Sequence, residues 1–354
     1  MNIKSLNRKL NKKFAGRVTA RLSDGCIVLT GELDDWNDVV DAGMTAATPH
    51  SSTHVVNDIV FTGAAEEKMH MPAINDKALD GEKPDVLVIG GGISGCSVAR
   101  ELSRYKLSVL LIDKEADLAL GASGRNDGEV HPGVDLSKGS LKHKYIRRAN
   151  HMYEDLCREL DVPFKRTGQY ACFTHKSWLP FVSLYAKWRR DHDGIEDTCI
   201  VMGDEIRKKE PKISADVAFA LSNPSSGSVS PYNLVIAYAE NAVQNGARVS
   251  LNTAVTGMDV SGGEIKAVYT NRGTIYPREV INCAGVYSDV VAQMAQDRFF
   301  SIHPRRGTNS ILDKKTGASF HGIASIVMSQ SPVQTHTKGG GILHTVHDNL
   351  LIGP

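Results

Sequence analysis

The six cysteines of this chain (26, 96, 157, 172, 199 and 283) contain no C-x-x-C pair. That spacing gives no structural zinc or iron–sulfur site, and scattered thiols fit a reducing, cytoplasmic setting. No apolar run approaches the ~18 residues that a membrane-spanning helix needs. The first thirteen residues are basic but lack the apolar centre of a secretory signal. No strongly amphipathic anchor stands out. Charge is balanced, with 41 Lys+Arg against 40 Asp+Glu. Without a strong overall field, neither nucleic acid nor an anionic membrane is favoured as a partner. What the chain does have is ordinary globular composition, 41% hydrophobic and 23% charged, over 354 residues. At roughly 150 residues per domain, that length suggests two or three domains.

The most informative stretch runs from Pro84 to Leu102. Val86 to Ile89 is a short continuous apolar run, as in a strand buried on both faces of a parallel sheet. Gly90, Gly92 and Gly95 follow at the spacing G-x-G-x-x-G, and a helical pattern continues through Cys96, Ala99 and Leu102. The first glycine permits a tight strand-to-helix turn, the second lets backbone approach a pyrophosphate, and the third lets helix and strand pack closely. The helix N-terminus then offers N–H groups and a partial positive charge to a diphosphate. A second apolar run, Val109 to Ile112, ends in Asp113, about twenty residues after the glycines, where a carboxylate accepts hydrogen bonds from a ribose. Strand, glycines, helix, second strand and acid together predict a dinucleotide site.

Upstream, Val18–Leu22 and Cys26–Thr30 flank the turn Ser23-Asp24-Gly25, a hairpin signal. A helix is expected near Trp36–Ala47 and a strand over Val55–Phe61. This order resembles the small α/β BON module and implies a docking or regulatory appendage at 1–63; a small domain with no partner is the equal alternative. Residues 64–84, broken by Pro72, Gly81 and Pro84, read as a linker.

Downstream, Gly121–Gly133 is a loop of small residues in which Arg125 can face a phosphate. Helical spacing of Leu141, Tyr145, Ala149, Met152, Leu156 and Leu160 predicts a helix over 140–160, and 177–192 predicts another. On the latter, Trp178, Tyr185 and Trp188 share a face and are expected to pack in a core. Strand signals at Phe164–Thr174 break the nucleotide-domain pattern and suggest an inserted domain. A helix from Leu234 ending at Gly246 follows, then strands near 247–251, 254–258, 264–269 and 279–283, the last closing at Ala284-Gly285. Cys283 reads as a small buried residue rather than a nucleophile.

These pieces together resemble the FAD-dependent oxidoreductases of the D-amino-acid-oxidase group, and within it the glycerol-3-phosphate dehydrogenase and L-2-hydroxyglutarate oxidase branch. The matching segments are Val86–Gly95, Ser123–Gly133, Gly139–Lys142, Pro163–Gly168, Val280–Asp289, Thr337–Leu343 and Asn349–Pro354. The resemblance implies a mixed α/β fold: a Rossmann-like FAD domain (85–162 and 225–300), an inserted mixed-sheet substrate domain (163–224 and 301–354) and the N-terminal module. It implies FAD on Gly90, Gly92 and Gly95, with Asp113 on the ribose and Ser123, Arg125 and Asn126 along the diphosphate and flavin edge. Val255 would lie near the adenine, and Ala284 and Gly285 against the flavin. The chemistry implied is hydride transfer from a small anionic 2-hydroxy substrate, glycerol 3-phosphate first, with L-2-hydroxyglutarate or an amino acid as alternatives. Electrons would pass on to a quinone, oxygen or a partner protein, and peripheral membrane contact stays open.

An anionic substrate needs a cation, and arginine binds phosphate or carboxylate with two parallel hydrogen bonds. Arg306 leads, because it matches the arginine before the group's glycine; Arg305 and Lys338 follow. Solvated surface charge is the competing reading for each. A base near neutral pH points to histidine: His131 in the flavin loop first, then His303 and His344, with a purely structural histidine as the alternative. Thr308-Asn309 replaces the group's acid–aromatic pair, which loosens the substrate assignment. The group also continues past Pro354 with a segment that closes the flavin site. The sequence therefore leaves room for a fragment, a split enzyme or a non-catalytic binding subunit.

Overall fold

The computed structural model describes residues 2–47, 54–64, 69–195, 197–326 and 341–353. The chain divides into two compact units, 1–121 with 239–305, and 122–238 with 306–354. Residues 122–162 and 225–238 thus cluster with the second unit. Three short strands, Glu129–Val130, Gly227–Val229 and Phe164–Lys165, form one small sheet that ties them there.

The first unit begins with helix α1 (Ile3–Phe14), followed by the hairpin β1 (Val18–Ser23) and β2 (Cys26–Leu33), helix α2 (Trp36–Ala46) and strand β3 (Val55–Phe61). β2 pairs antiparallel with β1 and parallel with β3. The hairpin, α2 and β3 stand where the sequence pattern put them; α1 is additional. Its Leu6, Leu10 and Phe14, spaced one helical turn apart, are buried with Val18, Leu29, Leu33, Val39 and Ala42 in a core of the module's own. Read from the sequence, that stretch stood out only as basic and without a signal's apolar centre; its apolar stripe at i, i+4, i+8 is what folds it.

The nucleotide-type sheet follows. Strands Arg248–Ser250, β5 (Val109–Ile112), β4 (Val86–Ile89) and Glu279–Asn282 lie side by side in that order, all parallel. Every residue of β4 and β5 is buried, which explains their unbroken apolar runs. Helix α3 (Ile93–Leu102) leaves the end of β4. An antiparallel three-strand sheet (Val255–Ser261, Glu264–Thr270, Gly273–Ile275) shares a core with the parallel one through Leu87, Ile112, Val255, Val268 and Ile275.

The second unit is built on a seven-stranded mixed sheet containing Gln169–Phe173, Phe219–Asn223, Ile323–Ile326 and Gly341–His344. Two long helices accompany it, α4 (Leu141–Glu159) and α5 (Leu179–Asp193). Both were expected, but their buried faces differ from the apolar spacing. On α4 the buried residues are His143, Asn150 and Cys157, whereas Leu141, Tyr145 and Met152 are exposed. On α5 Val182, Ala186, Arg189 and Asp193 face inward, and Trp178, Tyr185 and Trp188 are each about 40% exposed, so they are not core. Small residues with a paired Arg and Asp allow close approach to the loop beneath, and the bulky rings are left outside.

Candidate active site

At the crossover turn of the first unit, Gly90 has φ +111°, and a Cβ there would stand 2.2 Å from the Cys283 carbonyl oxygen. A Cβ on Gly95 would stand 1.8 Å from the Gly90 carbonyl oxygen. Only glycine lets α3 and the strand Glu279–Asn282 close on this turn. Gly92, the N-cap of α3, is itself without a side chain and makes no cap hydrogen bond. A helix start with glycine at its N-cap, and with the backbone drawn close, fits a diphosphate.

Asp113 ends β5 and faces the same turn. Its Oδ2 accepts from Gly91 N–H at 2.5 Å and its Oδ1 from Glu115 N–H at 2.8 Å. Burial pushes its carboxyl above the ordinary carboxylate range, against the pull of those two donors. Buried next to the turn, the Cys96 thiol is pushed up to about 12. Burial likewise raises Cys283, in keeping with a structural rather than a nucleophilic cysteine. Ala284 and Gly285 follow the C-terminal end of a parallel strand, the edge at which α/β sheets take ligands. Asn282 Oδ1 accepts from Ala284 N–H at 3.2 Å, and Gly285 has φ +57° with open space around it. The Val255 side chain is buried in the core, so any approach to a base is by its backbone. Gly90, Gly92, Gly95, Asp113, Ala284 and Gly285 are therefore gathered at one end of one sheet.

Ser123, Arg125 and Asn126 lie in the second unit, in and after a short 3-10 turn, Ala122–Gly124. Asn126 spends its side chain on the loop: Nδ2 donates to Ser123 O at 2.8 Å, and Oδ1 accepts from Gly128 N–H at 2.9 Å. It shapes the loop, while Arg125 extends outward. His131 stands further along, with Nε2 3.4 Å from Glu129 Oε2 and Nδ1 3.8 Å from Asp135 Oδ1. Its Nδ1 is buried and makes no hydrogen bond among the described residues.

Side chains grip the backbone around His131. Asn150 Nδ2 on α4 donates to His131 O at 2.9 Å. Arg189 on α5 donates through Nη2 to Gly133 O at 2.5 Å and Leu136 O at 2.9 Å, and through Nη1 to Asp193 Oδ2 at 2.6 Å. Tyr185 Oη donates to Val134 O. Arg189 and Asp193 are 2% and 3% exposed, so this is a buried ion pair. Sequence reasoning missed this grip. Its one signal was Arg189 and Asp193 at i, i+4 on a helix facing a glycine-rich loop.

Arg305 and Arg306 are exposed in an irregular segment, and Lys338 lies outside the described residues. His303 is not placed as a base: its Nε2 is 3.1 Å from Asn57 Nδ2 and its ring stands edge-on to Trp36 at 5.5 Å, against the N-terminal module. His344 is 8% exposed, and burial holds it below the ordinary histidine range. Among the described residues no helix is long and apolar enough to cross a membrane.

Comparison with known proteins gives a consistent result. The family model for FAD dependent oxidoreductase, DAO, matches residues 85–354. A glycerol 3-phosphate dehydrogenase of Caloramator mitchellensis is 36% identical over 271 residues, covering 76% of this chain and 55% of that protein. An L-2-hydroxyglutarate dehydrogenase of Indibacter alkaliphilus is 33% identical over 227 residues, covering 63% of this chain and 56% of that protein. This chain thus spans little more than half the length of these two relatives. Among solved structures, the dithionite-reduced, FAD-bound L-α-glycerophosphate oxidase of Mycoplasma pneumoniae superposes with TM-score 0.68 at 26% identity. The match covers 77% of this chain and 71% of that one.

Proposed function

The chain belongs to the DAO family of FAD-dependent oxidoreductases, and from that premise we propose that it oxidises a small anionic 2-hydroxy compound, glycerol 3-phosphate first. The observation that carries the cofactor half is the glycine crossing at 90 and 95 beside a helix start whose N-cap is also glycine, with Asp113 held next to it. Gly90, Gly92 and Gly95 take the diphosphate against α3. Asp113 accepts from the ribose, and the Val255 backbone borders the adenine. Ser123 and Arg125 follow the diphosphate edge on a loop shaped by Asn126, and Ala284 and Gly285 leave room for a flat ring. FAD supplies the acceptor for a hydride leaving the substrate carbon.

The remaining chemistry belongs to side chains. Arg306, with Arg305 and Lys338 beside it in rank, pairs with the substrate's phosphate or carboxylate. His131 takes the hydroxyl proton while the C–H electron pair departs as hydride. Glu129 Oε2 lies 3.4 Å from its Nε2 and Asp135 Oδ1 3.8 Å from its Nδ1, so each ring nitrogen faces a carboxylate. L-2-hydroxyglutarate is the second reading, supported by the Indibacter relative. Thr308 and Asn309, where the family's acid–aromatic pair was expected, leave the choice between the two to experiment.

The test is anaerobic. Full-length protein should purify yellow, and glycerol 3-phosphate should bleach the flavin bands. Bleaching by L-2-hydroxyglutarate alone moves the assignment to the second reading. Bound flavin that neither compound bleaches overturns the substrate class.

A further inference from the structure

The N-terminal module has no part in the proposed chemistry, yet it is fastened to the rest of the first unit at a telling place. Arg298 Nη1 donates to Asp58 Oδ1 at 2.8 Å, and Asn57 N–H donates to Ser301 Oγ at 2.8 Å. The His54 and Phe299 rings meet edge-on at 4.9 Å. Asn57 is 8% exposed and its amide is fully employed. Oδ1 accepts from Ile59 N–H at 3.3 Å, while Nδ2 donates to Val39 O at 2.8 Å and lies 3.1 Å from His303 Nε2. That network orients the amide, so His303 Nε2 must be an acceptor and its proton must sit on Nδ1. Burial lowers the pKa of His303, which agrees with a neutral ring. From the other side, Asp289 Oδ2 accepts from Ile302 N–H at 2.9 Å.

Residues 298–303 therefore form a strap gripped by the module through four side chains, Trp36, His54, Asn57 and Asp58. The next residues are Pro304, Arg305 and Arg306. Proline fixes its own φ and restricts the residue before it, so little slack separates the grip from the arginines.

We propose that the N-terminal module is an internal clamp, in which Asn57 and Asp58 position the 303–306 segment and so set the affinity for the substrate's anionic group. This rests on the assignment of Arg305 and Arg306 to that group. The clamp also explains why a neutral, half-buried His303 stands where a base was sought: it is a hydrogen-bond acceptor for Asn57.

The test uses the FAD-loaded full-length protein and the variants Asp58→Arg, Arg298→Asp and the two combined. Each single variant places like charges at the pair; the double variant restores attraction in reverse. Each single variant should raise KM for glycerol 3-phosphate about fivefold with kcat changed less than about twofold, and the double variant should return most of the way. Trypsin cleavage after Arg305 or Arg306, read by mass, should quicken at least about threefold in the single variants and slow again in the double. Unchanged cleavage in the single variants overturns the clamp. Altered and rescued cleavage with unchanged KM overturns its role in substrate affinity. If the wild type is not reduced by glycerol 3-phosphate, the substrate reading has failed, and cleavage alone decides the clamp.

Discussion

Gly95→Ala tests the nucleotide turn most directly. Gly95 has no left-handed backbone requirement, so the substitution acts only through space. The added methyl would sit 1.8 Å from Gly90 O and 3.1 Å from the Gly90 carbonyl carbon. A carbon–oxygen contact normally stands near ~3.3 Å, so α3 must retreat by roughly 1.5 Å. The neighbours cannot yield cheaply, because the obstacle is backbone held in a parallel sheet, and Cys283 Cβ closes the other side at 3.4 Å. Overpacking of this kind costs about 1–3 kcal/mol, and alanine's better helix propensity returns about 1 kcal/mol. The net loss should be about 2 kcal/mol or less, seen as a fall in Tm of several degrees. Cofactor affinity should suffer more. A retreating helix loses backbone hydrogen bonds to a charged diphosphate worth about 1.5–3 kcal/mol each, so losing two weakens FAD binding by at least about a hundredfold. Thermal unfolding and a flavin-quenching titration measure both. Gly257→Ala is the control, since its Cβ meets only Tyr269 Cδ2 at 3.6 Å, an ordinary contact. If Gly95→Ala binds FAD within about threefold of wild type, the crossing does not hold the cofactor.

Two further outcomes follow from named contacts. The Asp113 carboxyl is held above its ordinary range by burial, so acidification protonates it earlier than a free aspartate and removes an acceptor from the ribose. FAD affinity should fall as pH drops from neutral toward that raised value, and Asp113→Asn should flatten this dependence; equal slopes for both proteins would refute the role. Arg189→Met leaves Asp193 buried without that partner, with Lys138 at 3.4 Å the one other cation paired to it among the described residues. Urea unfolding should show a loss of about 3 kcal/mol, and Arg189→Met combined with Asp193→Leu should recover much of it; a single-variant loss below about 1 kcal/mol would refute the account of the loop.

Much of the nucleotide turn was legible because its physics is local. A buried strand, three glycines at fixed spacing, an amphipathic helix and a terminal acid lie within thirty residues, and each acts on its neighbours in the chain. The hairpin and β3 of the N-terminal module were legible for the same reason. Helix α1 was not, because its charges masked an apolar stripe of only Leu6, Leu10 and Phe14. The positions of α4 and α5 could be read from periodicity, but their buried faces could not: both helices turn polar residues inward, where carbonyls of the 131–136 loop wait for donors.

The sequence by itself determined the class of cofactor site, because a close backbone approach needs glycine whatever surrounds it. Tertiary structure alone decided what His303 does. Asn57 and Ser301 stand 244 residues apart in the chain, and no pattern of residue types along a sequence encodes a contact between segments so distant. Whether a histidine is a base or a hydrogen-bond acceptor depends on which group the fold brings to its ring.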